Sequence, residues 1–208
     1  YKRQAHALES EVLCQLLYGI SQKRFVTITN YTNRSENTNT WDLIPLRIFV
    51  SVQNGRRYLM GYSTKYHRIN SYRLDSITGV KPGNISENFD QLRDKLANMQ
   101  KYMWGISCNR RNALEHVEFT IYIGNGEEHI FHRLEREKRC GTIQRIDANP
   151  CRFIADVYDT GEMIPWIRTF ICRITSMSFS NRTIENQFKQ DIRDMYDLYQ
   201  LEESGGDT

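Results

Sequence analysis

Residues 43–63, "LIPLRIFVSVQNGRRYLMGYS", constrain the fold of this chain more than any other stretch. Ile44, Leu46, Ile48, Val50 and Val52 alternate with Arg47, Phe49 and Ser51, the period of a strand with one buried face. Asn54-Gly55 follows, a pair that tolerates positive φ and closes hairpins, so "RRYLMGYS" is expected to return antiparallel. In that returning strand Tyr58, Met60 and Tyr62 share one face, and Arg57, Leu59 and Ser63 the other.

The flanking sequence extends the pattern. "KRFVTITNY" places Val26 and Ile28 on one face and Thr27, Thr29 and Tyr31 on the other. A polar loop, "TNRSENTNT", is expected to link it to the hairpin. "SYRLDSITGVKPG" supplies one or two further short strands ending at Pro-Gly. Before them, apolar residues Leu8, Val12, Leu13, Leu16 and Leu17 recur at helical spacing over 5–19, with Gly19 as the expected stop. A helix followed by about five short antiparallel strands predicts an α+β fold whose first part is a small Sm/SH3-like β-barrel with an N-terminal helix.

A helical linker is expected next, with Ser86 as N-cap and Phe89, Leu92, Leu96 and Met99 as its apolar stripe. The remainder reads as strand, helix, strand, strand, helix, strand and a last helix, "RTIENQFKQDIRDMYDLYQ". Without that last helix the order is βαββαβ, the ferredoxin-like arrangement. The expected domains are therefore 1–82 (barrel with its helix), 83–115 (linker), 116–201 (ferredoxin-like) and 202–208 (a frayed tail).

Charge divides along the same boundary. The net +3 of the chain conceals 12 Lys/Arg against 5 Asp/Glu in residues 1–82, and 11 against 16 in residues 116–208. Positive charge gathered into one module implies an anionic partner for it. No apolar run is long enough to span a bilayer and the start lacks a signal-peptide core, so a cytoplasmic protein without a membrane partner is expected. The five cysteines stand singly, without a CxxC pair, and are expected to be reduced and mostly buried. His129 and His132 lie three apart on a helix, yet no third ligand is placed by spacing, so no metal and no cofactor is expected. Trp166 and Phe170 in "EMIPWIRTF" suit a core. No GxSxG elbow, Gly-rich phosphate loop or HExxH occurs, and no catalytic residue is assigned.

Arg57, Lys65, His67, Arg68 and Arg73 converge on one edge of the expected barrel, among tyrosines. Arginine forks grip phosphates and aromatic rings stack on bases, which makes this edge a candidate anion surface. Basic residues on small barrels also serve only to discourage edge pairing, and the pattern by itself leaves both readings open.

The combination "FVTITNY … LIPLRIFVSVQNGRRYLMGYS … INSYRLDSITGV" resembles the WYL domain, with Arg57-Tyr58-Leu59 at its eponymous tripeptide and arginine in place of tryptophan. "EMIPWIRTF" within a βαββαβ order resembles the extension that commonly follows such domains. The resemblance implies the sensing module of a bacterial transcriptional regulator. Its basic, aromatic surface would bind single-stranded nucleic acid or a nucleotide-type anion, and a dimer is expected. Carried over by position, the site residues are Tyr31, Tyr58, His67, Arg68 and Arg73; Arg57 and Ser63, on the neighbouring face of the same strand, are grouped with them. Where the family often has a second arginine in its closing strand, this chain has Ser76. A DNA-binding domain preceding residue 1 is expected to contact DNA. The alternative is a protein-interaction module without a nucleotide ligand, the basic barrel of one chain docking on the acidic domain of another.

Overall fold

The structure is a computed structural model that describes residues 10–32, 37–52, 54–109 and 111–199. The chain divides into two compact units, Tyr1–Ala113 and Leu114–Thr208, of mixed α and β structure with one antiparallel sheet each.

The first unit opens with α1 (Ser10–Ser21), then β1 (Arg24–Thr32), β2 (Asn37–Val50), β3 (Arg57–Ser63), β4 (Arg68–Arg73), β5 (Ile77–Ile85) and α2 (Phe89–Gln100). Strand order is β4-β3-β2-β1-β5. The predicted barrel is not closed, because β4 and β5 do not pair. The sheet is nevertheless curled. Four strand spacings would separate its edges by about 19 Å if it were flat, whereas the short turn Leu74–Ser76 joins β4 to β5 and spans at most about 15 Å. Curling turns one face inward. Val26, Ile28, Leu43, Leu59, Leu74 and Ile77 meet Val12 and Leu16 of α1 there.

Several expectations are corrected. Gly19 does not stop α1, which continues to Ser21. A Cβ on Gly19 would lie 2.7 Å from Val26 Cγ1 and 3.3 Å from a Pro45 ring carbon, so the missing side chain lets the helix settle on the sheet. Of the expected polar loop, residues 33–36 lie outside the described residues, but Asn37–Thr40 are strand: Thr38 pairs with Tyr31, Asn39 with Asn30 and Thr40 with Thr29. Pro82-Gly83 does not end β5, since Pro82 pairs with Val26 and Ile85 with Arg24 across a bulge. Ser86 does not cap α2, which starts at Phe89; Ser86 is buried and its N–H donates to the Lys23 carbonyl.

The most consequential correction lies in β2. Pro45 pairs with Gly61 and Arg47 with Met60, leaving Leu46 as an extra residue in a β-bulge. The strict alternation expected from Ile44 to Val52 therefore breaks at Leu46. Ile48 packs on the core beside Leu59, and Phe49 turns to the opposite face with Tyr58. Val50 and Val52, expected to be buried, are 60% and 81% exposed. The hairpin itself forms: Gly55 takes φ +68°, and the Asn54 side-chain oxygen accepts from the Arg56 N–H.

The second unit contains β6 (Glu115–Tyr122), α3 (Glu128–Glu137), β7 (Thr142–Arg145), β8 (Pro150–Val157), α4 (Ile164–Arg168), β9 (Ile174–Phe179) and α5 (Arg182–Leu198), with strand order β7-β8-β6-β9. Its core holds Phe119, Phe153, Phe170, Phe179 and Phe188. Trp166 lies edge-on to Phe119, Phe153 and Phe170. The Asn181 side chain caps α5 by accepting from Ile184 N–H. Of the cysteines only Cys108 and Cys151 are buried; Cys14 and Cys172 are exposed, and all five are free thiols.

Candidate functional site

The register of β3 against its neighbours decides which predicted site residues meet. At one end of the sheet Tyr58 lies directly between Phe49 of β2 and Arg73 of β4, and these three share a face. Arg57, opposite Val50, is exposed beside them on the other face. At the other end Ser63 pairs with Arg68, and His67 sits in the turn with φ +50°. Tyr31 lies beyond that end, across from Thr38. The seven predicted residues thus form two groups. Tyr58 and Ser63 are about 17 Å apart along an extended strand, so one phosphate cannot meet both groups, whereas an extended chain can.

Within the first group the charges are partly committed. Arg73 grips Asp75 with two hydrogen bonds, Nε to Oδ1 at 3.0 Å and Nη2 to Oδ2 at 2.6 Å. This pairing holds Asp75 below the usual carboxylate range and raises Arg73 above its own. Arg56 adds to the field that keeps Asp75 ionised. Arg57 enters no ion pair among the described residues. Ser76 belongs to the 3-10 turn that carries Asp75.

Within the second group the side chains hold the β3–β4 turn. Buried Ser63 accepts from the Tyr66 N–H at 3.3 Å. Tyr62 Oη lies 3.5 Å from His67 Nδ1, and Arg68 stacks 5.4 Å from the Tyr66 ring. Lys65 approaches the same ring from 5.5 Å, which leaves Tyr66, exposed at the turn, flanked by two cations.

Sequence reasoning missed a groove of about 350 Å3 beside the first group, lined by Ile48, Phe49 and Val50 of β2, Gln100 at the end of α2, and Met103, Gly105 and Ile106 beyond it. Arg47 Nη1 donates to Gln100 Oε1 at 3.3 Å on the same side. β1 pairs with β2 only through Leu43, so residues 46–50 leave this edge of β2 unpaired and open to the groove. The signal for Arg56 and Asp75 was present in "GRRY" and "RLD". Nothing in the sequence marked Gln100, because its place depends on where α2 packs. Among the described residues no group of three His, Cys, Asp or Glu side chains suits a metal, and His129 and His132 are both exposed. No helix among them is long and apolar enough to cross a membrane.

Comparison with known proteins adds the following. The WYL domain family model matches residues 11–82. Proteasome accessory factor B/C (PafBC) of Arthrobacter aurescens is a similar solved structure at 13% identity and TM-score 0.42, covering 95% of this chain and 29% of that one. A CRISPR Cas-related protein is similar at 14% identity and TM-score 0.58, covering 94% of this chain and 54% of that one; this likeness concerns the fold alone. The chain spans about half, or less, of these two structures' lengths. No curated protein matches the sequence. The matched residues take in nearly all of α1 and the β1–β5 sheet as far as Pro82, so the likeness to the WYL domain falls on the first unit.

Proposed function

We propose that this chain is the ligand-sensing region of a transcription regulator, and that its first unit binds single-stranded nucleic acid. The observation that carries the reading is the division of the basic residues into two groups about 17 Å apart on one curled sheet, with Arg57 outside any ion pair among the described residues. A mononucleotide reaches one group; an extended strand reaches both. Tyr58 and Tyr66 offer rings for stacking and Arg57, Lys65 and Arg68 offer charge. The curl of the first sheet supports an Sm-like description, and the order β7-β8-β6-β9 supports a ferredoxin-like one for the second unit. The module is a binder rather than an enzyme and needs no cofactor. It acts as a dimer in the cytoplasm, through a DNA-binding domain of the longer protein.

Fluorescence anisotropy with labelled single strands, duplexes and mononucleotides tests this. Single strands are expected to bind most tightly, with affinity falling steeply as salt rises. Equal binding of all probes, or none, refutes the proposal. Docking of the basic unit onto the acidic unit of another copy is less favoured, because Glu127, Glu128, Glu137, Glu185 and Asp191 already have cationic partners within their own unit.

A further inference from the structure

We propose that the groove between the end of β2 and the end of α2 is a base-reading subsite that takes a guanine of the bound strand. The inference deepens the nucleic-acid reading and rests on it. Three observations point the same way. Its volume, about 350 Å3, lies at the lower end of ligand-sized pockets, and it combines apolar residues, Phe49, Val50, Met103 and Ile106, with polar surface that includes Gln100. Phe49 lies directly across from Tyr58 on the same face, so a base against Phe49 has a second aromatic residue one strand spacing, about 5 Å, away.

The third observation concerns hydrogen-bond polarity. Arg47 has only donors, so the Gln100 atom that it meets is the amide oxygen. That contact occupies one lone pair of the Gln100 oxygen, fixes which way the amide faces, and leaves both Nε2 donors for a ligand. A groove whose polar side chain offers donors favours a base edge made of acceptors. Guanine presents two there, O6 and N7; adenine replaces one with the N6 donor, and cytosine presents the N4 donor. Arg47 therefore sets the preference by orienting Gln100, and Phe49 supplies the stacking surface.

The test compares hexamers of dA with the same hexamer carrying one dG, alongside GMP, on the full chain as wild type, Gln100→Leu and Phe49→Ala. Thermal melts check that each variant is folded. The expected result is about tenfold tighter binding of the dG-containing strand by the wild type. That preference should disappear in Gln100→Leu, and Phe49→Ala should weaken the dG strand most. Equal binding of both strands by wild type and Gln100→Leu, still sensitive to salt, overturns the subsite and leaves the nucleic-acid interface standing. GMP binding as tightly as the dG strand overturns the assignment to a strand and gives the groove to a free nucleotide. Absence of binding by any strand overturns the interface and the subsite together.

Discussion

The two units use their charged residues differently. In the second, Arg133, Arg145, Arg152, Arg168, Arg173, Arg182 and Lys189 are each paired with a carboxylate of the same unit. In the first, ion pairs join Lys23 and Arg93 to Asp90 and Arg73 to Asp75, while Arg47, Arg56, Arg57, Lys65 and Lys81 enter none among the described residues. Glu185 shows what pairing does. It is 3% exposed, and burial alone would raise its pKa, yet hydrogen bonds from Lys189, the Phe179 N–H and Arg182 bring it below the usual value. Such a carboxylate organises the junction of β9 and α5. Arg57, exposed and outside any ion pair among the described residues, remains available to a partner.

Leu59 and Arg57, two positions apart in β3, give the sharpest test of this contrast. Leu59→Ala, at a fully buried core position, is expected to cost about 2–5 kcal/mol, read from urea unfolding. Arg57→Ala, one strand pair away, should stay within about 0.5 kcal/mol and instead lower the slope of log affinity against log salt by about 0.7, one single-strand phosphate contact. If Arg57→Ala unfolds the unit, its charge is structural and the contrast fails.

In the second unit Glu185→Ala is expected to cost about 1–3 kcal/mol, because the buried Phe179 N–H loses its acceptor. A smaller effect follows from Glu127, held at about 2 chiefly by Arg173, with help from the Gly124 N–H. A depressed carboxylate stabilises the fold above its unfolded pKa, and that contribution is lost as pH falls through the folded one. Stability should therefore decline from about 4.5 towards 2, and the decline should be shallower in Glu127→Gln. The smallest expected effect is in the first unit. Asp75→Asn removes a half-exposed pair, changes stability by less than about 1 kcal/mol, and should strengthen strand binding by releasing Arg73. Weaker binding in this variant would mean that Asp75 positions the arginine for its ligand.

Much of this was legible beforehand where local pattern and tertiary packing agree. Val26 and Ile28 alternate in sequence and are both in the core, and Asn54-Gly55 marks a hairpin that forms. The failures share a cause. Asn37–Thr40 have little apolar content, and become strand because β1 offers them a partner. Gly19 looked like a stop because its use, a close helix-to-sheet approach, involves residues far along the chain. Ser63, grouped with the ligand residues, is buried as an acceptor for its own turn. Tyr31 shares the sheet but not the neighbourhood of Tyr58, since nothing short of the β1–β2 register tells how far apart they lie.

The bulge at Leu46 has a consequence for how this domain can vary. Every residue of β2 beyond it faces the side that an unbroken alternation would deny it, so Phe49 looks outward and Ile48 inward because of one surplus residue. Deleting that residue would leave a regular ladder with Ile48 still across from Leu59 and Phe49 still across from Tyr58; drawing it into the ladder instead would exchange the two, placing a benzyl group in the core and emptying the groove of its aromatic wall. The loop at 51–56, by contrast, can lengthen without disturbing either face. Inheritance of the groove therefore depends on keeping Phe49 across from Tyr58, more than on which aliphatic residues fill the positions between Leu43 and Phe49.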